Sequence, residues 1–152
     1  LHKNNIKLQF IGNLALLPDQ ARKALAEATA QTAHNTGLTL IIALSYSSRW
    51  ELVEATKSIA QKVLDGDLQV DEITEAVISE NLTTSAFPDP ELMIRTSGEL
   101  RISNFLLWQL AYAELYFTPK LWPDFRREDL FEAILDYQKR ERRFGMTSEQ
   151  LK

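Results

Sequence analysis

Apolar and polar positions along the chain predict four strands. Residues 6–11 (IKLQFI) alternate between apolar and polar and stop at Gly12, which favours a strand. Residues 38–45 (LTLIIALS) form a continuous apolar run, typical of a strand that is buried on both faces. Short strands are also predicted over residues 91–94 (ELMI) and 115–117 (LYF).

Segments with helical spacing of apolar residues lie between and after these strands. They begin or run as follows: from Pro18-Asp19, over residues 49–64, over residues 70–82, from near Ser103, and from Pro123-Asp124. Strands that alternate with helices predict an α/β fold with an open, mainly parallel sheet flanked by helices. No linker or internal repeat divides the sequence, so residues 1–152 are expected to lie in one domain. Such sheets bind ligands beyond the carboxyl ends of their strands.

Composition narrows the class of protein further. The chain has 152 residues, 45% of them hydrophobic, and 17 basic against 21 acidic side chains give a net charge of −4. A chain of this length can bury about two thirds of its unfolded surface. The high apolar content and small net charge disfavour disorder. With no cysteine, disulfide frameworks and thiolate metal sites are excluded. The acidic balance disfavours a nucleic-acid partner. The sequence contains no apolar run of about eighteen residues, so no membrane span is predicted.

The segment after the third predicted strand combines groups that bind anions. Arg95 lies where the strand should end, Gly98 permits a tight turn, and Arg101 follows as a second permanent cation. Ser103 is expected to cap a helix whose first backbone N–H groups are free. Together these groups predict a site for phosphate or diphosphate. The alternative is a surface ion pair of Arg95 or Arg101 with Glu99, worth under about 1 kcal/mol, and spacing does not decide between the two.

Glu114 is a carboxylate among apolar neighbours. Because a buried carboxylate is costly without a cation, Glu114 is a candidate ligand for a divalent metal ion or a partner for one of those arginines. The alternative exposes it on the polar side of a helix beside Gln109. Residues 46–50 (YSSRW) occupy a second strand end, where Ser48 could cap a helix and Arg49 could face an anion.

Other conspicuous side chains have plainer interpretations. Trp108, Trp122 and Phe131 are expected in the core. The basic cluster at residues 140–143 is interpreted as a solvated end of the last helix, which complements the helix dipole. His2 and His34 lack metal-ligand spacing and are expected at the surface.

A long string of residues resembles a known family. Residues 95–109 (RTSGELRISNFLLWQ), continued by 111–117 (AYAELYF) and 121–125 (LWPDF), closely resemble the signature of the cis-prenyltransferases. The bacterial members of that family are undecaprenyl diphosphate synthases. Upstream residues 35–40 (NTGLTL) and the terminal residues 142–145 (RRFG) match in the same order, so the resemblance covers essentially the whole chain.

The resemblance implies a transferase that makes Z double bonds. Isopentenyl diphosphate would be condensed with an allylic diphosphate, such as farnesyl diphosphate, to give a polyprenyl diphosphate, the precursor of a lipid carrier for the cell wall. The product would extend into an apolar tunnel lined by Leu8 or Phe10. The resemblance also implies a cytoplasmic homodimer that contacts the inner face of the membrane for product release.

The resemblance also assigns roles to individual residues. Arg95, Arg101 and Ser103 would hold the diphosphate of isopentenyl diphosphate. Glu114 would assist in binding Mg²⁺. Residues 143–145, through Arg143 and Gly145, would bind substrate in a neighbouring subunit's active site.

The chain departs from the family pattern in its first part. The family's Asp-Gly-Asn-x-Arg-Trp catalytic loop and a later Asn-bearing segment are missing, and Ser47-Ser48 stand where Gly-Gly is usual. We therefore expect the C-terminal part of one cis-prenyltransferase domain, with no catalytic residue and inactive alone. The alternatives are a non-catalytic partner subunit of a cis-prenyltransferase complex and a generic nucleotide-binding domain. The second is disfavoured because the sequence has no glycine-rich phosphate loop. The sequence leaves the length of the product open.

Overall fold

The computed structural model describes residues 2–141, which form two compact units that divide between Pro88 and Asp89. Each unit contains one pair of parallel strands accompanied by helices, so the predicted α/β class with parallel strands is confirmed. Assignment of the chain to a single domain stays a prediction. Across the described residues, no helix has both the length and the apolar character needed to cross a membrane.

The first unit is a strand–helix–strand arrangement followed by two helices. Its elements are β1 (Lys7–Ile11), α1 (Asp19–Thr32), β2 (Thr39–Ala43), α2 (Ser48–Asp65) and α3 (Glu75–Glu80). β1 pairs with β2 in parallel, from Lys7 opposite Thr39 to Ile11 opposite Ala43. Helix α1 makes the crossover that a parallel pair requires.

Helix α1 is tied to β1 by a buried hydroxyl. Thr32, at the end of the helix, accepts a hydrogen bond from the backbone N–H of Leu8 at 3.1 Å. Leu8 and Ile11 are both buried. At the end of β1, Gly12 has a φ of 107°, and a side chain there would collide with the carbonyl oxygen of Leu44. The glycine therefore allows the two strand ends to approach closely.

Helix α2 confirms the helix predicted over residues 49–64, but its N-cap is Ser47 and not the predicted Ser48. The Ser47 hydroxyl accepts a hydrogen bond from the backbone N–H of Trp50 at 3.3 Å, which caps the first turn. Gly66 ends the helix in the left-handed conformation, with a φ of 81°. Ala55 and Ile59 form part of the buried stripe of the helix.

Strand β2 does not have the burial that its apolar run predicted. The side chains of Leu40, Ile41 and Ile42 are each 37% to 38% exposed. β2 pairs with β1 on one edge, and the described residues cover its faces only in part. The helix predicted over residues 70–82 is also shorter, since a 3₁₀ turn at Val70–Glu72 precedes α3.

The second unit pairs two short strands and packs one helix nearby. Its elements are β3 (Leu92–Arg95), β4 (Glu114–Phe117), a 3₁₀ turn (Trp122–Asp124) and α4 (Arg127–Gln138). Leu92 lies opposite Glu114 and Arg95 opposite Phe117 in a parallel register. Leu110 and Ala133 are buried in this unit.

The prediction of a helix starting near Ser103 is wrong. Residues 96–113 form turns and bends, and Ser103, Asn104 and Leu106 have φ values of 49°, 60° and 48°. Left-handed backbone at these positions cannot continue a right-handed helix. The placement of Trp122 and Phe131 in the core is also wrong, since their side chains are 72% and 46% exposed.

Candidate anion-binding site

Arg95 lies at the carboxyl end of β3, as the sequence predicted. Its carbonyl oxygen accepts a hydrogen bond from the N–H of Thr118 at 2.9 Å. The following loop is fixed by two more backbone bonds, from Ser97 to Lys120 at 2.8 Å and from Gly98 to Thr118 at 2.9 Å. Gly98 has a φ of 67°, which confirms the tight turn. The backbone therefore holds Arg95 at the carboxyl end of the strand pair, the edge at which sheets of this kind bind ligands.

A cavity of about 890 Å³ opens beside Arg95, and we refer to it as the arginine cavity. Arg95, Arg126 and Arg127 line it together with apolar side chains that include Trp122 and Phe125. No carboxylate is among the lining residues. Between residues 2 and 141, none of these three arginines forms an ion pair. The cavity thus combines concentrated positive charge with an apolar wall.

The start of α4 sets the positions of Arg126 and Arg127. The guanidinium of Arg126 donates one hydrogen bond, to the carbonyl oxygen of Phe125 at 3.1 Å. The guanidinium carbon of Arg127 lies 5.1 Å from the ring centre of Phe131, a cation–π contact. The rings of Trp122 and Phe125 stack with their centres 6.4 Å apart. These contacts order the wall of the cavity.

Arg101 and Ser103 are not brought to this cavity. Arg101 forms an ion pair with Glu99, and its side chain is 70% exposed, so the surface-pair alternative describes it in this structure. Ser103 is exposed and caps no helix. Of the three residues predicted to bind diphosphate, Arg95 lines the arginine cavity, whereas Arg101 and Ser103 do not.

Glu114 is the first residue of β4, and its partner is Arg140. One guanidinium nitrogen of Arg140 donates to the Glu114 carboxylate at 2.9 Å and to the Leu115 carbonyl oxygen at 3.0 Å. A second contacts Asp136 at 2.5 Å. The hydrogen bond with Glu114, reinforced by Asp136, raises the pKa of Arg140. Glu114 is therefore neither an exposed helical residue nor a partner of Arg95 or Arg101.

The strand register separates Glu114 from Arg95. They lie at opposite ends of the strand pair, three residues of parallel register apart, which corresponds to about 10 Å. No group of three or more His, Asp or Glu side chains with metal-binding geometry occurs in the part of the chain that the structure describes. Glu114 is engaged by Arg140 in this structure, and its role in binding Mg²⁺ stays a prediction. The proposed residues Arg143 and Gly145 lie outside the described residues.

The end of β2 is built around a carboxylate that the sequence reasoning missed. Ser48 is fully buried, but Ser47 is the residue that caps α2. Glu51, 1% exposed, accepts hydrogen bonds from the Tyr46 hydroxyl at 2.5 Å and from the Thr83 backbone N–H at 2.9 Å. The Thr83 hydroxyl also contacts this carboxylate. These bonds give Glu51 a structural role in joining the start of α2 to a distant loop.

Arg126 and Arg127 were also missed, although the sequence contains a signal for them. Both cations stand at the beginning of a helix, where the helix dipole disfavours positive charge. Such a placement is unhelpful to the helix.

A second cavity, of about 480 Å³, lies between β1 and α1. Its lining includes Phe10, Leu14, Leu25 and Arg22. Phe10 therefore faces an apolar space, whereas Leu8, the alternative tunnel residue, is not among the lining residues. We refer to this space as the apolar cavity.

Comparisons with known proteins identify the family. The prenyltransferase family model described as undecaprenyl diphosphate synthase matches residues 1–145. An isoprenyl transferase of Porphyromonas gingivalis is 52% identical over 151 residues, which are 99% of this chain and 59% of that enzyme. A ditrans,polycis-undecaprenyl-diphosphate synthase ((2E,6E)-farnesyl-diphosphate specific) of Vibrio vulnificus is 50% identical over 100% of this chain and 61% of that enzyme.

Solved structures agree with this result. The crystal structure of lavandulyl diphosphate synthase from Lavandula x intermedia, in complex with dimethylallyl diphosphate, matches with a TM-score of 0.90 and 44% identity. The match covers 92% of this chain and 60% of that one, so the chain spans about 60% of the length of these relatives. The family match over residues 1–145 and the identities of 50% and more show that the chain belongs to the undecaprenyl diphosphate synthase family of prenyltransferases.

Proposed function

We propose that this chain carries the isopentenyl-diphosphate side of a cis-prenyltransferase that extends an allylic diphosphate, such as farnesyl diphosphate. The observation that carries the proposal is the arginine cavity of a family member, in which Arg95 forms no ion pair among the described residues. A guanidinium binds phosphate oxygens through several N–H groups at once. The apolar side chains on the same cavity suit a short hydrocarbon.

In the proposed reaction the chain binds and orients the nucleophile. Arg95 holds the diphosphate of isopentenyl diphosphate, which is retained in the product, and so fixes the position of the double bond. That double bond attacks the allylic carbon, the allylic pyrophosphate leaves, and loss of a proton generates the new Z double bond. Orientation of two reactants in this way removes part of the entropic barrier. We assign no catalytic group to the described residues.

Arg101 and Ser103 remain part of the proposed diphosphate site. Both follow Arg95 in the same loop, and the Arg101–Glu99 pair is exposed. Because an exposed ion pair is worth under about 1 kcal/mol, Arg101 can exchange Glu99 for a phosphate oxygen at little cost.

Other parts of the reaction lie beyond this site. We propose that the growing hydrocarbon follows the apolar cavity beside Phe10. We also propose that the whole enzyme is a cytoplasmic homodimer in which Arg143 and Gly145 bind substrate across subunits. The product would then be released to the membrane surface. Mg²⁺ would neutralise diphosphate charge in that enzyme. Since Glu114 is engaged by Arg140, we assign the charge neutralisation on this side to arginines.

Calorimetric titration of the 152-residue chain with isopentenyl diphosphate tests the proposal. Loss of a charge-assisted contact costs about 1.5–3 kcal/mol, so Arg95→Ala should weaken binding by about tenfold or more. Lys57→Ala, which removes an exposed charge in the first unit, serves as the control and should leave the affinity unchanged. Equal affinities of wild type and Arg95→Ala would remove the diphosphate assignment.

A second assay addresses the activity of the chain by itself. Radiolabelled isopentenyl diphosphate and farnesyl diphosphate should give no elongated product with the pure chain, because the family's catalytic loop is missing from its sequence. Incorporation of label by the pure chain would show that the reaction does not need that loop.

A further inference from the structure

We infer that Arg126 and Arg127 are diphosphate-binding residues, which bind the same anion as Arg95 and make the arginine cavity specific for a diphosphate ester with an apolar tail. This inference rests on the proposed function and deepens it. Neither arginine belongs to the string that carries the family resemblance, which ends at Phe125.

Positive charge is concentrated at the cavity. Three arginine residues line one space, and none of the lining residues is acidic. The chain as a whole is acidic, with 21 Asp and Glu against 17 Lys and Arg, and Asp124, Glu128 and Asp129 flank Arg126 and Arg127 in the sequence without lining the cavity. Like charges that share a space repel each other unless a counter-ion lies between them. A diphosphate, with several negative charges, is such a counter-ion.

The carboxylate of Asp129, close to the start of α4, is already engaged. Asp129, in the first turn of α4, accepts hydrogen bonds from Lys120 at 2.5 Å and from the backbone N–H of Arg126 at 2.7 Å. Its carboxylate thus neutralises Lys120 and caps the helix, and although its charge also attracts that of Arg126, the two side chains form no direct ion pair. The positive charge on the cavity side remains available to a ligand.

Arg126 and Arg127 keep guanidinium N–H donors that are not used within the described residues. A guanidinium carries five N–H donors in its plane. Arg126 uses one of them for the Phe125 carbonyl oxygen. Arg127 is held by its cation–π contact with Phe131, and its guanidinium donates no hydrogen bond among the described residues. Both side chains are therefore ordered without using up their capacity to bind phosphate oxygens.

The apolar wall selects among anions. The stacked rings of Trp122 and Phe125 lie beside the arginines, and Trp122 is 72% exposed although it is large and apolar. A hydrocarbon placed against these rings would be removed from water, which favours an ester over the inorganic anion.

Titration calorimetry with two probes, inorganic diphosphate and isopentenyl diphosphate, tests this inference on the 152-residue chain. Arg126→Ala and Arg127→Ala should each weaken the binding of both probes about tenfold. Lys139→Ala removes a charge at the other end of α4, outside the cavity, and should change the affinities less than twofold. Isopentenyl diphosphate should bind the wild-type chain more tightly than inorganic diphosphate.

The outcomes separate this inference from the proposed function. If Arg95→Ala weakens binding while Arg126→Ala and Arg127→Ala stay within twofold of wild type, the inference is wrong and the proposed function stands. If both variants weaken inorganic diphosphate binding but the ester binds no more tightly, the anion site stands and the isoprenoid substrate is wrong. Failure of both probes to bind the wild-type chain would overturn both.

Discussion

The two units place their charged side chains in different ways. In the first unit, the carboxylate of Glu51 is buried and receives hydrogen bonds from Tyr46 and Thr83, which are neutral donors of the same unit. In the second unit, Arg95, Arg126 and Arg127 surround a cavity that no acidic side chain lines. The first arrangement joins two segments of the chain, whereas the second concentrates charge around a space.

This difference indicates which polar groups stabilise the fold and which await a ligand. A buried carboxylate without hydrogen bonds would destabilise the folded state, so the donors around Glu51 are needed for folding. Clustered cations without acidic partners give the folded state no such benefit. Substitutions in the two places should therefore affect different measurements.

The largest effect is expected at Glu51. Glu51→Ala leaves the Tyr46 hydroxyl and both Thr83 donors without their acceptor, and should lower the free energy of unfolding by about 3 kcal/mol. Urea denaturation measures this change. Glu54→Ala, an exposed acid on the same helix, should cost under about 1 kcal/mol.

A milder variant covers the case in which Glu51→Ala does not fold. Tyr46→Phe removes one donor to the carboxylate and should cost about 1–2 kcal/mol. If Tyr46→Phe and Glu51→Ala both unfold like Glu54→Ala, the Glu51 cluster does not stabilise the first unit.

A smaller effect of opposite sign is expected at the arginine cavity. Arg126 occupies the N-cap of α4, where serine is a much better residue. Arg126→Ser should raise the free energy of unfolding by about 1 kcal/mol, because it adds a capping hydroxyl and removes a cation from the positive end of the helix. It should weaken diphosphate binding in calorimetry. A variant that loses stability and keeps its affinity would contradict the contrast between the units.

The smallest effect concerns the ion pair between Lys120 and Asp129. The hydrogen bond from Lys120, followed by that from the Arg126 N–H, lowers the pKa of Asp129, and Asp129 raises the pKa of Lys120. A lowered carboxyl pKa stabilises the folded state above the unfolded pKa, and this contribution is lost as the pH falls through the folded value. The raised pKa of Lys120 stabilises the folded state below the pKa of an unfolded lysine. This contribution to stability is lost as the pH rises through the folded pKa.

Lys120→Met should therefore raise the pKa of Asp129 towards its ordinary value, as a carbon-detected NMR titration would record. The stability difference between wild type and Lys120→Met should be present at neutral pH and shrink below about pH 4. Lys139→Met should leave the Asp129 titration unchanged. A difference that persists at pH 2 would show that the pair does not act through its charge.

Local patterns allowed much of the fold to be predicted. The strand ending at Gly12 and the helix ending at Gly66 were found because alternation, helical spacing and a left-handed glycine act over neighbouring residues, whereas the cap was expected one residue late, at Ser48. The position of Arg95 followed from the same reasoning. The helix after Ser103 failed because its apolar spacing did not reveal the left-handed backbone at that residue.

Features that depend on distant residues could not be predicted. The exposure of Ile41 depends on what covers β2, which the apolar run does not specify. Glu114 meets Arg140, and Arg95 shares a cavity with Arg127, across long stretches of intervening chain. The family resemblance supplied roles for Glu114 and Arg95, but the partners of these side chains came from the fold.

Nitrogen-15 NMR of the arginine side chains during titration with isopentenyl diphosphate tests the central claim most directly. The account predicts that the Nε–H resonances of Arg95, Arg126 and Arg127 shift together and saturate at the same ligand concentration. Arg140, whose guanidinium is held by Glu114 and Asp136, should keep its resonance. A ligand that moves the Arg140 resonance and leaves the three cavity arginines unchanged would contradict the account.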